Sequence, residues 1–163
     1  MVVSLSYLGP VSYYALLAQD EKVMLEQHER YVKQTYRNRC RILTANGPMD
    51  LSIPVEKHGP HTLYKDIRIA SHDNWQQQHW RSILSAYNSS PFLEYYQDDF
   101  HPFYEKKWDF LWDFNFALQE VVLSLLDLQP DIQLTDSYAE TGPDDFRDVI
   151  HPKKSLPDLG LPV

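Results

Sequence analysis

Cysteine is nearly missing: Cys40 is the single one. No internal disulfide can form, and no multi-cysteine zinc site can be built. Positive charge is scarce too. Lys and Arg number 15 against 23 Asp and Glu, for a formal net charge of -8 and a pI near 5.2. This balance argues against general binding to nucleic-acid polymers or insertion at anionic membranes. A local basic site for one small anion remains compatible with it. No apolar run approaches the roughly 18 residues needed to cross a bilayer. No Lys or Arg precedes Lys22, so the charged n-region of a signal peptide is lacking, and the cytoplasm is the simplest expected location. Glycines number five, and no P-loop, G-x-G-x-x-G or G-x-S-x-G pattern occurs.

What is present is apolar and aromatic. Hydrophobic residues make up 43% and aromatics 13% of 163 residues, enough for one domain with a sizeable core. Val2 to Leu8 reads as a strand ended by Gly9-Pro10. Tyr13, Leu16 and Leu17 then recur at helical spacing, with Ser12 a candidate cap. Val23-Met24-Leu25 is a second strand, giving a β-α-β start. Residues 39 to 56 read as a hairpin turning at Asn46-Gly47-Pro48, with Cys40 and Ile42 on one face and Arg39, Arg41 and Leu43 on the other. Ile67 and Ile69 suggest another short strand. From residue 73 the period becomes helical: Asp73 or Asn74 can cap, and Trp75, His79, Ile83, Ala86 and Tyr87 form a stripe. A longer periodic run covers 103 to 128. The expected fold is α/β, with α+β as the variant: a small mixed sheet from the N-terminal half, packed by helices from about 72 to 128. The stretch 131–163, rich in Pro, Asp and Gly, reads as largely irregular.

Residues 30 to 41, "RYVKQTYRNRCR", hold five Lys and Arg, and no Asp or Glu falls between Glu29 and Asp50. Arg39 and Arg41 on one strand face offer two forks for phosphate or carboxylate. Lys33 and Arg37 would share a face if that part were helical, and Tyr31 adds a hydroxyl. The bland alternative is a solvated face paired with acids of the C-terminal half. His79 is a candidate proton-transfer group near neutral pH; its alternative is a hydrogen-bonded helix histidine. His58-Gly-Pro-His61 offers at most two metal ligands with no Cys or H-E-x-x-H nearby, so no metal site is assigned. The aromatics from Tyr95 to Phe116 could stack on a sugar ring, but such runs are more often core.

Five blocks resemble the WbqC-like protein family: "YLGPVSYYALL", "HERYVKQTYRNRCRI", "GPMDLSIPVE", "NWQQQHWRSILSAYNSSPF" and "DFRDVIHPKK". They run from residue 7 to about 154. The resemblance implies an association with bacterial surface polysaccharide and lipopolysaccharide biosynthesis, with no defined reaction. It also implies importance for Tyr31, Lys33, Asn38, Arg39, Trp75, His79 and Tyr87, which fall in these blocks. The chain departs from the family pattern at Ser6 to Pro10 and stops soon after the H-P-K block. That leaves open a shortened form without a C-terminal segment.

The resulting expectation is a single domain over 1–163: an enzyme, a transferase among the options, acting on a nucleotide-activated sugar or an acyl-type modification of it. The catalytic group would be His79. The binding residues would be Tyr31, Lys33, Asn38, Arg39, Arg41, Trp75 and Tyr87, holding an anionic small molecule such as a nucleotide sugar, phosphate or carboxylate. The cofactor stays undefined, and pathway proteins are possible partners. The alternative is a non-catalytic anion- or sugar-binding accessory protein of the same pathway.

Overall fold

In a computed structural model, residues 1–19 and 22–154 are described. A three-stranded parallel sheet is built from β1 (Val2–Val3), β2 (Lys22–Leu25) and β5 (Asp131–Leu134), in the order β1-β2-β5. Beyond β1, Val2 bridges Asp145 in parallel, through Val2 N–H to Asp144 O and Phe146 N–H to Val2 O, both at 2.8 Å. Four chain segments therefore run side by side in one direction. Their carboxyl ends lead into Ser4, Glu26, Thr135 and Arg147.

The chain crosses from β1 to β2 through α1 (Val11–Gln19), whose Tyr13, Leu16 and Leu17 are buried. Gly9 is required at the entry, because a Cβ there would lie 2.9 Å from the Tyr13 ring. Ser12 does not cap this helix; its hydroxyl is buried without a hydrogen-bond partner. The second sheet is the antiparallel hairpin β3 (Arg39–Thr44) and β4 (Gly47–Ser52). The parallel and antiparallel pairings expected of one mixed sheet are thus divided between two. The hairpin loop is Ala45–Asn46, and Gly47 follows with φ of 106°, a conformation only glycine adopts cheaply. Ile67 and Ile69 form no continuous strand. Arg68 and Ile69 make isolated bridges to Phe110 and Val55.

Three helices cover these strands: α2 (Trp75–Tyr87), α3 (Leu93–Glu105) and α4 (Leu111–Leu125). Asn74 stands at the α2 N-cap position, but its amide bonds the Gln77 side chain at 2.5 Å instead of the backbone. The long periodic run is cut at Lys106, where the backbone turns extended, so its two halves are separate helices. α4 buries Leu111, Phe114 and Leu118 together with the polar Asn115 and Gln119. Asn115 Nδ2 reaches both Arg37 O and Tyr64 Oη at 2.6 Å, which ties the basic stretch to the core. β5 lies inside the region read as irregular. The central strand β2 needs it as its second neighbour, and four residues carrying an Asp are too short a run to signal a strand alone. The end of that region lies outside the described residues.

Candidate functional site

Arg39 and Arg41 project from the outer face of β3, as their alternation requires. They are not unpaired. Asp50 stands opposite Arg41 in the hairpin register and accepts from Arg41 Nε at 2.7 Å and Nη2 at 3.2 Å. It also lies 3.7 Å from Arg39 Nη1. The Arg41 bond holds the Asp50 carboxyl below its usual range, and the same bond raises Arg41. The counter-charge lies in the strand just past the acid-free stretch, not in the C-terminal half.

The other expected residues divide between core and surface. Lys33 is exposed in a turn, Arg37 is buried, and they share no helix face. Asn38 Nδ2 donates to Ile53 O at 3.0 Å and braces the hairpin. Tyr31 is buried with an unpartnered hydroxyl, which burial pushes up to about 12. Trp75 packs edge-on against His79 and Phe114. Tyr87 Oη accepts the Leu43 N–H at 3.3 Å.

His79 is 4% exposed, with both ring nitrogens occupied. Its Nε2 faces Ser52 O at 3.2 Å. A carbonyl only accepts, so Nε2 carries the proton. Nδ1 therefore accepts from Tyr7 Oη at 2.9 Å. Tyr7 has then spent its proton, and Tyr104 donates to Tyr7 at 3.0 Å. Burial lowers His79 to about 4, with the Ser52 bond opposing. The expected titration near pH 6 to 7 is replaced by a neutral histidine that joins α2 to β4. Arg39 and His79 do meet at one residue, Ser52: Arg39 Nε reaches its hydroxyl at 3.2 Å, His79 its carbonyl.

A different constellation forms where the parallel strands end. Directly after β2, Glu26 is fully buried. It accepts from His28 N (2.7 Å), Thr135 Oγ1 (2.9 Å) and Ala139 N (2.6 Å). Arg147 Nη1 lies 3.6 Å from its second oxygen and has no hydrogen bond. Arg147 is held by Asp145 in a two-point contact at 2.8 and 2.6 Å and by the Tyr138 ring at 4.8 Å. The Asp145 bond raises Arg147 and lowers Asp145. Glu29 takes Arg37 Nε at 3.0 Å and Nη2 at 2.6 Å, and Ser4 completes the triangle. Burial works against the Arg37 charge, but Glu29 more than offsets it and the guanidinium is raised.

These pairs wall a cleft of about 590 Å³ that also exposes His28, Arg30 and Asp148. His28 Nε2 lies 3.1 Å from Thr135 O and so donates to it, which leaves the lone pair on Nδ1. Arg30 and Asp148 are exposed and give the mouth one charge of each sign. Ligands of open α/β sheets bind at this edge, outside the carboxyl ends of the strands. The sequence reading assigned no role to Glu26, His28, Arg147 or Asp145. The available signal was that "HERYVKQTYRNRCRI" and "DFRDVIHPKK" both carry the resemblance, and these two blocks face each other across the cleft. Among the described residues no group of three His, Cys, Asp or Glu side chains could hold a metal ion, and no helix is long and apolar enough to cross a membrane.

The model of the WbqC-like protein family matches residues 6–154. The chain belongs to this family. Among curated relatives, the uncharacterized protein Rv1507c of Mycobacterium tuberculosis is 27% identical over 104 residues, covering 63% of this chain and 45% of that protein. The chain therefore matches less than half the length of that relative. No solved structure matches the chain. Family membership brings both the basic hairpin and the cleft within one matched region, and leaves the chemistry to be argued from the residues.

Proposed function

We propose that the strand-end cleft is a substrate site, and that the protein acts in bacterial surface polysaccharide biosynthesis as an enzyme on a nucleotide-activated sugar or an acyl-type modification of it. The observation that carries this reading is a polar cleft beside the carboxyl ends of three parallel strands and the bridged segment at Asp145, walled by two arginine–carboxylate pairs. A nucleotide sugar presents hydroxyls and a diphosphate together. Asp148 is an exposed acceptor for hydroxyls, and Arg30 is a fork for a phosphate at the mouth. Arg37 and Arg147 are fixed by their own carboxylates, so they shape the wall instead of gripping an anion. Proton transfer falls to His28, whose Nδ1 carries the lone pair, and not to His79, which has no spare nitrogen. The donor–acceptor chemistry would be cytoplasmic.

A panel of nucleotide sugars, followed by ligand-observed NMR, tests the reading. Arg30→Gln is expected to weaken nucleotide sugars more than the corresponding free sugars. Asp148→Asn is expected to weaken both. His28→Gln is expected to spare binding and remove turnover of the sugar that binds. No binding by any member at millimolar concentration, or binding indifferent to Arg30→Gln and Asp148→Asn, overturns the site. Binding without turnover of any acceptor would instead make the protein an accessory binder.

A further inference from the structure

A second concavity lies on the opposite chemistry. It opens between α2, α3 and the hairpin and has a volume of about 350 Å³. α2 gives Trp80, Ile83 and Tyr87 to one wall, and α3 gives Tyr96 and Phe100 to the other, with Ile42 between them. Phe92 at the rim is 65% exposed. Arg41 is the one charged side chain lining this groove among the described residues. Ser90, Tyr87 and Tyr96 bring a few hydroxyls to the lining, but most of its surface is carbon. Phe92 carries this half-buried apolar lining out into the solvent, and a contiguous apolar patch open to water marks a surface that takes a ligand.

Size and charge narrow the ligand. An apolar cavity of about 150 Å³ holds one benzene ring. At about 350 Å³ this groove has room for roughly ten to twelve carbons. Two guanidinium groups, Arg39 and Arg41, share the single Asp50 carboxylate, so this end keeps one positive charge in excess. Arg41 has half its side chain, 49%, open to solvent. We infer that the groove binds a soluble anionic amphiphile: an apolar chain of about ten carbons lies between α2 and α3, and its carboxylate or phosphate head meets Arg41. The net charge of -8 disfavours an anionic bilayer as the source of the chain. This inference stands on the groove alone and does not depend on the strand-end cleft.

Calorimetry and Trp80 fluorescence with straight-chain carboxylates from hexanoate to tetradecanoate read the inference directly. Affinity is expected to rise about fourfold per added CH₂ and to level off once the groove is full. Decyl phosphate should match decanoate, and decyltrimethylammonium should bind about tenfold more weakly. Ile83→Trp, which fills the groove, should abolish decanoate binding. Phe92→Ala at the exposed rim should weaken it without touching the core, and keeps the test valid if Ile83→Trp fails to fold. Arg41→Gln should weaken decanoate and leave decanol unchanged. A flat chain-length profile, or decanoate binding indifferent to both Phe92→Ala and Ile83→Trp, overturns the inference. So does binding to phosphatidylglycerol vesicles without binding of free decanoate. A concentration-dependent dimer in sedimentation that Phe92→Ala dissociates, with no decanoate bound, assigns the groove to a second copy and also overturns it.

Discussion

Two arginines from one basic stretch, Arg37 and Arg41, both make two-point contacts with a carboxylate, and they have little else in common. Arg37 and Glu29 are 5% and 7% exposed, and Ser4 bonds to both, accepting from Arg37 and donating to Glu29. Arg41 and Asp50 are 49% and 32% exposed across a two-stranded hairpin. The first pair fastens the loop after β2 to the end of β1, so it holds the cleft wall in place. The second is a surface clip in competition with water. Identical side-chain chemistry therefore yields architecture at one site and a weak, replaceable contact at the other. Burial and additional partners decide between them, and the guanidinium–carboxylate geometry does not.

The comparison breaks first, and hardest, at Glu29. Glu29→Gln leaves the Arg37 guanidinium charged and buried without its counter-ion, a change that costs about 3–5 kcal/mol. Urea unfolding measures it. The pair Glu29→Gln with Arg37→Met is expected to recover a large part of the loss, because a buried ion pair and an apolar substitute differ little in net stability. A loss below about 1 kcal/mol for Glu29→Gln would mean that water reaches this pair in solution, and the distinction between the two arginines would collapse.

That distinction was not readable from the sequence. The β-α-β start, the hairpin faces and the Trp75–His79 stripe were legible, because each rests on a local period and each side of the period has one environment. Cys40 and Ile42 turn inward and Arg39 and Arg41 outward for that reason. Three features were not. β5 is short and exposed on its edge, and only pairing with β2 makes it a strand. The helical period from 103 to 128 continues through the break at Lys106, since spacing registers side chains and not backbone direction. Above all, the partners of the arginines depend on contacts with no fixed spacing. Glu29 precedes Arg37 by eight residues, Glu26 meets Thr135 across 109, and no periodicity encodes either.

A smaller effect concerns His79. The folded His79 takes up a proton only near pH 4, while its ordinary value is 6.5. Below 6.5 the unfolded chain thus binds more protons than the folded one. Stability from this residue is fully present above pH 6.5 and declines as pH falls from 6.5 to 4, by about 3 kcal/mol in all. His79→Gln should flatten that part of the stability profile. Tyr7→Phe, which removes the donor to Nδ1, should cost about 1–3 kcal/mol near neutral pH. A stability profile unchanged in His79→Gln would show that the ring is hydrated in solution and would return His79 to the list of proton-transfer groups.

The smallest expected effect concerns the exposed clip. Arg41→Ala should leave the melting temperature within experimental error. Asp50→Asn should do the same in buffer without added anion, yet it frees Arg39 and Arg41 together. Phosphate at a concentration near its dissociation constant should then raise the melting temperature of Asp50→Asn by about 1 °C and leave the wild type unmoved. In the wild type, Asp50 already occupies the forks, and an incoming dianion must displace it with no apolar chain to help. Arg41→Ala placed on top of Asp50→Asn should cancel the rise. Should the wild type respond to phosphate as strongly as Asp50→Asn does, the clip does not persist in solution. The acid-free stretch before Asp50 would then be an open anion site, and the two arginines would differ in function as well as in burial.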